Sequence, residues 1–390
     1  TKIAVDDSGC IYVAGITVSS DFPVTPGAYN TSVFDERFGD VFVTKFDPSG
    51  GKILFSTYIS GESTETLAGI RVDAVGNVYV AGFTTSVGFP RTPGAYVSHF
   101  EQAYPYPTNV FLSKINAQGN ALIFSSVFGE SIRSETIYLG LDGFNHPFVT
   151  AHGLIEPTPG ALQEYRPGKN PSHFVCKFSE DGSSLLYATY FGETSQVSSV
   201  DGFAVDREGN TYLTGTADND FPVTADALCD SMSPGYLCKI SPEGNALVFS
   251  TFLFASYPWA LTVDVEGYIF LYTSYGYFPP ITPGTYVKTK GRSSVLYKLD
   301  PNGSRIIFSA RVFEAGKFIA VDNAGRVFLF GSTPYNLPPT TSDALNSTVN
   351  DLHFCAFDAT GSELLYATYL GGSDYDYPGG ITTDTQGNVY

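Results

Sequence analysis

The apolar residues of this chain fall in short runs that are separated by tight-turn residues. In the segment IAVDDSGCIYVAG, residues 3–15, an apolar run leads into an Asp-x-x-Gly turn and a second apolar run follows. The Asp side chain can accept hydrogen bonds from turn amides and the Gly can adopt a positive φ, which suits a tight connection between strands. The pattern therefore predicts a β-hairpin.

The same hairpin unit recurs along the whole chain. Close copies occupy residues 70–82, 203–215 and 319–331, weaker ones 139–151 and 261–273, and a truncated one 381–390. The Asp residues that mark the copies are Asp6, Asp73, Asp142, Asp206, Asp264, Asp322 and Asp384, spaced by about 58 to 69 residues. We predict six complete repeats and the start of a seventh. The third copy lacks the turn Gly after Asp142, so we expect that repeat to be weakened.

Each complete repeat contains a second hairpin unit with the same order of strand, turn and strand. These units occupy residues 42–61, 111–130, 174–193, 236–255, 295–314 and 353–372. Two hairpins form four strands, and a four-stranded antiparallel sheet of about sixty residues is the size of a propeller blade. Stacked blades cover the sheet faces that a single repeat cannot bury.

The sequence thus predicts an all-β fold, a single β-propeller of four-stranded antiparallel blades over residues 1–390. The predicted blades are approximately 1–69, 70–138, 139–202, 203–260, 261–318 and 319–380, with 381–390 starting a further blade. An array of β-sandwiches is the alternative. The 40 Gly and 24 Pro residues favour many turns over long helices.

The charge excludes some partners. The formal net charge of −18 repels nucleic acid and anionic lipid surfaces. No apolar run is long enough for a membrane helix, so we predict no membrane insertion. The chain has neither an initiator Met nor a signal-peptide pattern at Thr1, from which we expect a processed protein or an excised fragment.

The repeats resemble a bacterial β-propeller repeat family called SBBP. Its consensus is similar to STYLGG, an acidic loop, GIAVDSSGNVYVAG and a loop ending in FPTTPGAF. The matching segments here include DFPVTPGAY at residues 21–29, FPRTPGAY at 89–96 and ATYLGG at 367–372. The resemblance implies a secreted or surface protein without an assigned biochemical role.

Strand order predicts two faces for such a fold. One face would carry the Asp-x-x-Gly turns, and the other the outer-to-inner loops together with the long FPxTPGAY loops. We expect any site on the second face, because function tends to lie on loops held by a rigid scaffold. Candidate Ca²⁺ ligands in the outer-to-inner loops are Glu62, Glu130, Glu193, Asp374 and Asp376. Solvated acidic turns are the alternative interpretation, and no DxDxDG loop is present.

Loop aromatic residues form the second candidate site, because an aromatic plane with a polar group suits sugar rings or peptide segments. They are Trp259, Tyr257, Tyr275, Tyr277, Tyr375 and Tyr377. Strand order places Trp259, the only Trp, at the mouth of the central channel. The alternative is that it fills the seam between two blades.

Catalytic motifs are absent from the sequence. It contains no GxSxG, HExxH or GxGxxG segment, so we assign no catalytic residue and no cofactor other than the candidate Ca²⁺. We expect the turn Asp residues to be structural, with Asp206→Ala costing on the order of 1 kcal/mol. Cys176, Cys238 and Cys355 are interpreted as small strand residues, and a disulfide between Cys229 and Cys238 is left open.

These observations favour a non-enzymatic extracellular or cell-surface β-propeller. It would bind a protein or a polysaccharide, or serve as a rigid structural module. The alternative is a carbohydrate-active propeller enzyme, a hydrolase or lyase, that uses acidic loop residues.

Overall fold

The computed structural model describes residues 1–33, 37–98, 108–131, 137–165, 172–192, 197–230, 234–254, 257–273, 281–288, 293–314, 316–333, 338–348 and 350–390. Within these ranges the regular elements are 24 β-strands, and no helix long and apolar enough to cross a membrane is found. The all-β prediction is confirmed.

The chain divides into two compact units, which are described separately. Unit 1 comprises Thr1–Thr194, Arg207–Gly209 and Pro242–Ala246. Unit 2 comprises Ser195–Asp206, Asn210–Ser241 and Leu247–Tyr390. The assignment of a single propeller domain to residues 1–390 stays a prediction.

Unit 1 contains three blades of four strands each. In chain order the strands are β1 Lys2–Val5, β2 Ile11–Thr17, β3 Asp40–Phe46, β4 Ile53–Ile59, β5 Glu65–Val72, β6 Val78–Thr84, β7 Asn109–Ile115, β8 Leu122–Ser131, β9 Tyr138–Leu141, β10 Pro147–Leu154, β11 Ser172–Phe178 and β12 Leu185–Tyr190. Neighbouring strands within a blade pair antiparallel in sequence order. Blades 2 and 3 join into one sheet, because β8 and β10 run long enough to pair at Gly153 with Ser131 and at Leu154 with Glu130.

Unit 2 repeats the same arrangement in blades 4 to 6. Its strands are β13 Gly202–Val205, β14 Thr211–Thr216, β15 Gly235–Ile240, β16 Leu247–Phe252, β17 Pro258–Val263, β18 Ile269–Thr273, β19 Ser293–Leu299, β20 Ile306–Phe313, β21 Phe318–Val321, β22 Val327–Ser332, β23 Leu352–Phe357 and β24 Leu364–Leu370. Each blade is a separate four-stranded sheet in sequence order.

The first strand of each blade is the innermost one. In unit 1, β5 contacts both β1 and β9, and in unit 2, β17 contacts both β13 and β21. Apolar side chains of consecutive blades fill the space between the sheets, so that Tyr79, Phe124 and Phe178 belong to one buried cluster. The core therefore lies between blades, as expected for repeats that cannot bury both faces alone.

The third repeat keeps its turn without the expected Gly. Asn145 takes the left-handed conformation with φ of 62°. Asp142 accepts hydrogen bonds from the N–H groups of Phe144 and His146, both at 2.9 Å. Asn tolerates this region better than other non-Gly residues, so the turn forms without Gly. The expected weakening of the repeat stays a prediction.

Residues 381–390 form a hairpin next to blade 6. Thr382 and Tyr390 exchange backbone hydrogen bonds of 3.1 and 2.9 Å. Ile381 and Val389 pack against a buried cluster that includes Ala320 of blade 6. The hairpin has the form of the opening half of a further blade.

Candidate functional site

Each Asp-x-x-Gly turn builds a buried polar cluster. In blade 2, Asp73 Oδ1 accepts hydrogen bonds from the N–H groups of Val75 at 3.2 Å and Asn77 at 2.8 Å. Its Oδ2 accepts a hydrogen bond from Asn77 Nδ2 and lies 3.3 Å from Lys114 Nζ. The same ammonium group lies 4.6 Å from the centre of the Tyr79 ring. The buried charge of Lys114 is therefore balanced by a carboxylate and an aromatic face.

This arrangement of Asp, Lys and aromatic ring recurs in five blades. The Lys–Asp distances run from 3.1 to 3.7 Å in the pairs Lys45–Asp6, Lys114–Asp73, Lys177–Asp142, Lys239–Asp206 and Lys298–Asp264. Each ammonium lies 4.6 to 4.9 Å from the centre of the ring six positions after the turn Asp, in Tyr12, Tyr79, Phe148, Tyr212 and Phe270. We assign the turn Asp residues a structural role because their oxygens are occupied by groups of the same blade.

Blade 6 replaces the lysine but keeps the cluster. Ala356 stands where the other blades have Lys, and Arg326, four residues after the turn Asp, supplies the cation. Its Nε donates to Asp322 Oδ2 at 2.6 Å, and its guanidinium lies 5.6 Å from the centre of the Phe328 ring. In blade 6 the cation therefore comes from a different position in the blade but still contacts the carboxylate of the turn Asp.

The FPxTPGAY segments line the outer edge of each blade. In blade 1, the Thr25 N–H donates to the Ser56 carbonyl at 3.1 Å, and the Ser56 N–H donates to Thr25 Oγ1 at 3.0 Å. The same reciprocal pair forms at Thr92 with Ser125, Thr158 with Ala188, Thr224 with Ser250, Thr282 with Ser309 and Thr341 with Ala367. Every outermost strand therefore has part of its open edge satisfied by its own loop.

The ends of four of these segments, in blades 1, 2, 3 and 5, reach the next blade. The N–H of Tyr29 donates to the carbonyl of Gly119 at 2.9 Å, in the turn between β7 and β8. Equivalent bonds join Tyr96 to Gly182, Leu162 to Gly244 and Tyr286 to Gly361. We call these two contacts together the latch: the loop Thr bound to the outermost strand of its own blade, and the N–H at the end of the loop bound to a turn of the next blade.

The latch corrects one prediction. We expected the FPxTPGAY loops to build the ligand face, but their TPGAY part runs along the outermost strand to the turn end of the next blade. The physical reason is the hydrogen-bonding demand of an edge strand, which the Thr backbone and hydroxyl meet together.

The turn glycines of the second hairpins in blades 2 to 6 also cover aromatic rings. Gly119, Gly182, Gly244, Gly303 and Gly361 all have positive φ, from 66 to 71°. A Cβ at these positions would collide with the rings of Phe55, Phe124, Tyr187, Phe249 and Phe308, which belong to the outermost strand of the preceding blade. Only Gly combines this φ with so close an approach.

The candidate calcium ligands of unit 1 have other roles in the described structure. Glu62 accepts the N–H of Gly88 at 2.9 and 3.1 Å, and these bonds lower the pKa of its carboxyl. Glu130 lies within strand β8, opposite Leu154. The neighbouring Glu65 is buried, accepts hydrogen bonds from Thr84 and Ser86, and has its pKa raised by burial.

The remaining candidates belong to the loop after β24 or to undescribed residues. Asp376 accepts the N–H of Gly372 at 2.6 Å, and Asp374 is exposed. Glu193 lies outside the described residues. In the described part of the chain, no three or more His, Cys, Asp or Glu side chains come together to hold a metal ion. Calcium binding at these residues therefore stays a prediction.

Three of the candidate tyrosines are exposed to solvent. Tyr375 is 85%, Tyr377 86% and Tyr257 58% exposed. All three come shortly before an innermost strand or the hairpin at 381–390, in unit 2. Tyr275 and Tyr277 lie outside the described residues.

Trp259 packs partly inside unit 2. It lies in a bulge of β17, where the register shifts between Pro258 and Ala260. Its ring centre is 5.7 Å from that of Tyr272, and it packs against a cluster shared by blades 5 and 6. This packing agrees with the alternative that Trp259 fills the seam between two blades. The residue is only half buried, so part of it stays accessible to solvent. Its place at a channel mouth stays a prediction.

The cysteine and histidine side chains described here do not form a reactive site. None of the five cysteines is in a disulfide, so Cys229 and Cys238 are not bonded to each other. Burial lowers the pKa of His173 to about 3 and that of His353 to about 4, which keeps both rings neutral.

A shallow recess of about 440 Å³ is lined by Lys114, Ile123, Ser179, Glu180, Asp181 and Ser183, but the Lys114 ammonium is already bound to Asp73.

Tandem four-stranded antiparallel blades with contacting innermost strands define a β-propeller repeat protein. A family model described as the SBBP beta-propeller repeat matches residues 186–222 and 365–390, so these two segments are similar to that repeat. Each match begins in an outermost strand and continues into the following inner hairpin. No curated protein matches the chain.

Several solved structures are similar to the chain over most of its length. A chain of the mitotic checkpoint complex has a TM-score of 0.49 and 8% identity, covering 99% of this chain and 81% of its own. BamB from Moraxella catarrhalis has a TM-score of 0.42 and 11% identity, with 97% and 88% covered. The WD40 beta propeller domain of Doa1 has a TM-score of 0.47 and 11% identity, with 100% and 87% covered.

Proposed function

We propose that this protein is a non-enzymatic binding scaffold outside the cell or at the cell surface, which holds a protein or polysaccharide on the loops before its innermost strands. The observation that carries the proposal is the exposure of Tyr257, Tyr375 and Tyr377, at 58, 85 and 86%. Large aromatic side chains left in water are costly, and tyrosine is enriched where proteins bind other molecules. The location is supported by the resemblance to secreted SBBP proteins.

The chemistry of the loop narrows the ligand class. Residues 373–377 alternate acid and aromatic, as SDYDY, and Asp374 is exposed between a serine and the first of the two tyrosines. Such a surface offers ring faces for stacking and carboxylates that accept hydrogen bonds from hydroxyl or amino groups. Together with the net charge of −18, this favours a neutral or basic ligand.

Trp259 provides the test. Because it is the only Trp and lies two residues from Tyr257, its emission reports on this loop. Titration with neutral glycans and with basic proteins should identify a ligand that changes Trp259 intensity or wavelength. Tyr257→Ala, and Tyr375→Ala with Tyr377→Ala, should each weaken that binding at least tenfold.

Tyr165→Ala is the matched control, because Tyr165 is similarly exposed at 56% but lies in a different kind of loop. Its substitution should leave binding unchanged. A confirmed ligand whose affinity is insensitive to the three tyrosines would contradict the proposal. New reducing ends after incubation with a bound glycan would establish the carbohydrate-active alternative.

A further inference from the structure

Two histidines of blade 3 lie side by side on one face of the sheet. His152 in β10 and His173 in β11 are directly opposite each other in the antiparallel register. Their ring centres are 4.8 Å apart, with an angle of 49° between the ring planes. Residues paired in this way have Cβ atoms about 4.5–5.5 Å apart, so a single bound ion can contact both side chains.

The blade itself does not require imidazole groups at these two positions. In blade 1 the corresponding cross-strand pair is Ile16 with Val41. In blade 2 it is Phe83 with Val110. Apolar side chains therefore serve the sheet at this place in two sister blades, and packing alone does not explain a pair of histidines in blade 3.

His173 has a buried ring nitrogen that is not hydrogen-bonded. The residue is 7% exposed, and its Nδ1 has no hydrogen-bond partner among the residues that the structure describes. A nitrogen that has lost water without gaining a partner is destabilising, so a group that binds it is favoured. Burial, with the neighbouring His152, lowers the pKa of His173 to about 3, and imidazole binds metal ions in its neutral form. His152 is half buried, so solvent reaches the pair from its side.

The distance between the two rings suits one metal ion. A bond from an imidazole nitrogen to Zn²⁺ is about 2.0–2.1 Å long, which places the ion roughly 3.2 Å from each ring centre. Ring centres 4.8 Å apart then give an angle of roughly 97° at the ion, between the angles of about 90° in a square-planar site and about 109° in a tetrahedral one. The two rings are therefore close enough to share an ion and far enough apart to admit it.

We propose that His152 and His173 bind a late first-row divalent metal ion, with Nδ1 of His173 as one ligand, a ring nitrogen of His152 as the second and water in the remaining positions. Water is required because no group of three or more His, Cys, Asp or Glu ligands occurs among the described residues. Imidazole suits copper, zinc and nickel, and affinity for a given set of nitrogen ligands is highest for Cu²⁺. We therefore expect Cu²⁺ to bind most tightly and Zn²⁺ more weakly, whereas Ca²⁺ takes oxygen ligands and does not bind here.

Titration of the metal-free chain with Cu²⁺ tests the site. Calorimetry should show saturable binding of one equivalent, and electron paramagnetic resonance should show two imidazole nitrogens on the bound copper. Zn²⁺ should compete for the site, and a large excess of Ca²⁺ should not. The bound ion should also raise the melting temperature, because the two histidines come together only in the folded chain.

The sister blade supplies substitutions that the sheet accepts. His152→Ile and His173→Val install the pair found in blade 1, and each should weaken Cu²⁺ binding at least tenfold. His146→Gln is the matched control. His146 lies at the turn end of the same hairpin, where its Nδ1 is 3.0 Å from Asp142 Oδ2, so its replacement should leave Cu²⁺ binding unchanged.

Three results would overturn the proposal. The first is a double variant, His152→Ile with His173→Val, that binds Cu²⁺ as tightly as the parent, since the ion would then lie elsewhere. The second is bound copper with fewer than two imidazole nitrogens. The third is an equal loss of binding in His146→Gln, which would assign the copper to scattered histidines. Thermal melting without metal checks the fold of each variant, and if His173→Val fails to fold, His152→Ile at the half-buried position gives the same test.

Discussion

The contact of turn glycines with rings of the preceding blade makes a quantitative prediction for Gly361→Ala. Gly361 has φ of 66°, and a Cβ there would lie 2.6 Å from Cε2 of Phe308, well inside van der Waals contact. An L-residue in the left-handed region costs roughly 1–2 kcal/mol. Overpacking a filled site adds about 1–3 kcal/mol, and Phe308 is only 3% exposed, so it has little room to move.

Gly284→Ala separates the two costs. Gly284 lies in the latch that reaches Gly361 and has φ of 88°, and a Cβ added there would meet no atom within 4 Å. Gly284→Ala should lower the free energy of unfolding by about 1–2 kcal/mol, from the backbone cost alone. Gly361→Ala should lower it by about 2–5 kcal/mol, from the backbone cost and the overpacking cost together. Urea unfolding followed by Trp259 emission measures both, because blades 5 and 6 contain these residues and the Trp.

A double-mutant cycle tests the cause. If the ring is what opposes the new methyl group, Gly361→Ala combined with Phe308→Ala should cost less than the sum of the single changes, by about 0.5–3 kcal/mol. Equal costs for Gly361→Ala and Gly284→Ala, or strict additivity with Phe308→Ala, would refute the reasoning.

Three further predictions follow from buried polar contacts. Asp206→Ala should lower the free energy of unfolding by about 3 kcal/mol rather than the roughly 1 kcal/mol expected from the turn alone. The reason is that Asp206 also accepts a hydrogen bond from the Tyr212 hydroxyl at 3.0 Å and lies 3.6 Å from Lys239 Nζ. Urea unfolding measures this loss, and unchanged stability would argue against a structural Asp. His353 has its pKa lowered by burial from 6.5 to about 4, so it binds protons more readily when unfolded, and the stability present above pH 6.5 falls as the pH drops towards 4. His353→Phe, which installs the residue found at this position in blade 1, should flatten that fall by up to about 3 kcal/mol, and an unchanged profile between about pH 7 and 4 would assign the acid sensitivity elsewhere. Thr92→Val should cost about 1–2 kcal/mol, because the Ser125 N–H loses its acceptor, and faster exchange of that amide would locate the loss.

Some features of the candidate site could be predicted from local sequence, and others could not. The exposed Tyr375 and Tyr377 followed from their position in an acidic loop between two hairpin units, a purely local feature. The role of Glu62 did not, since its carboxylate binds the N–H of Gly88, which lies 26 residues further along the chain. A carboxylate in a loop has the same sequence pattern whether it binds a metal ion or a backbone amide.

The sequence by itself determined the hairpins, the strand order and the positions of the turns. These follow from contacts within a few residues, such as the Asp73 carboxylate with Val75 and Asn77, and from the conformational freedom of Gly at the fourth position. The repeat period then required the blades to cover one another.

Only the tertiary structure decided the course of the long loops and the balance of the buried charges. The N–H of Tyr29 finds its acceptor at Gly119, and Lys114 is held by Asp73 and the Tyr79 ring, partners that lie far apart in the sequence. An unpaired strand edge or a buried ammonium group must be satisfied by whichever group folding brings close. That choice depends on the packing of whole blades, which local sequence patterns do not contain.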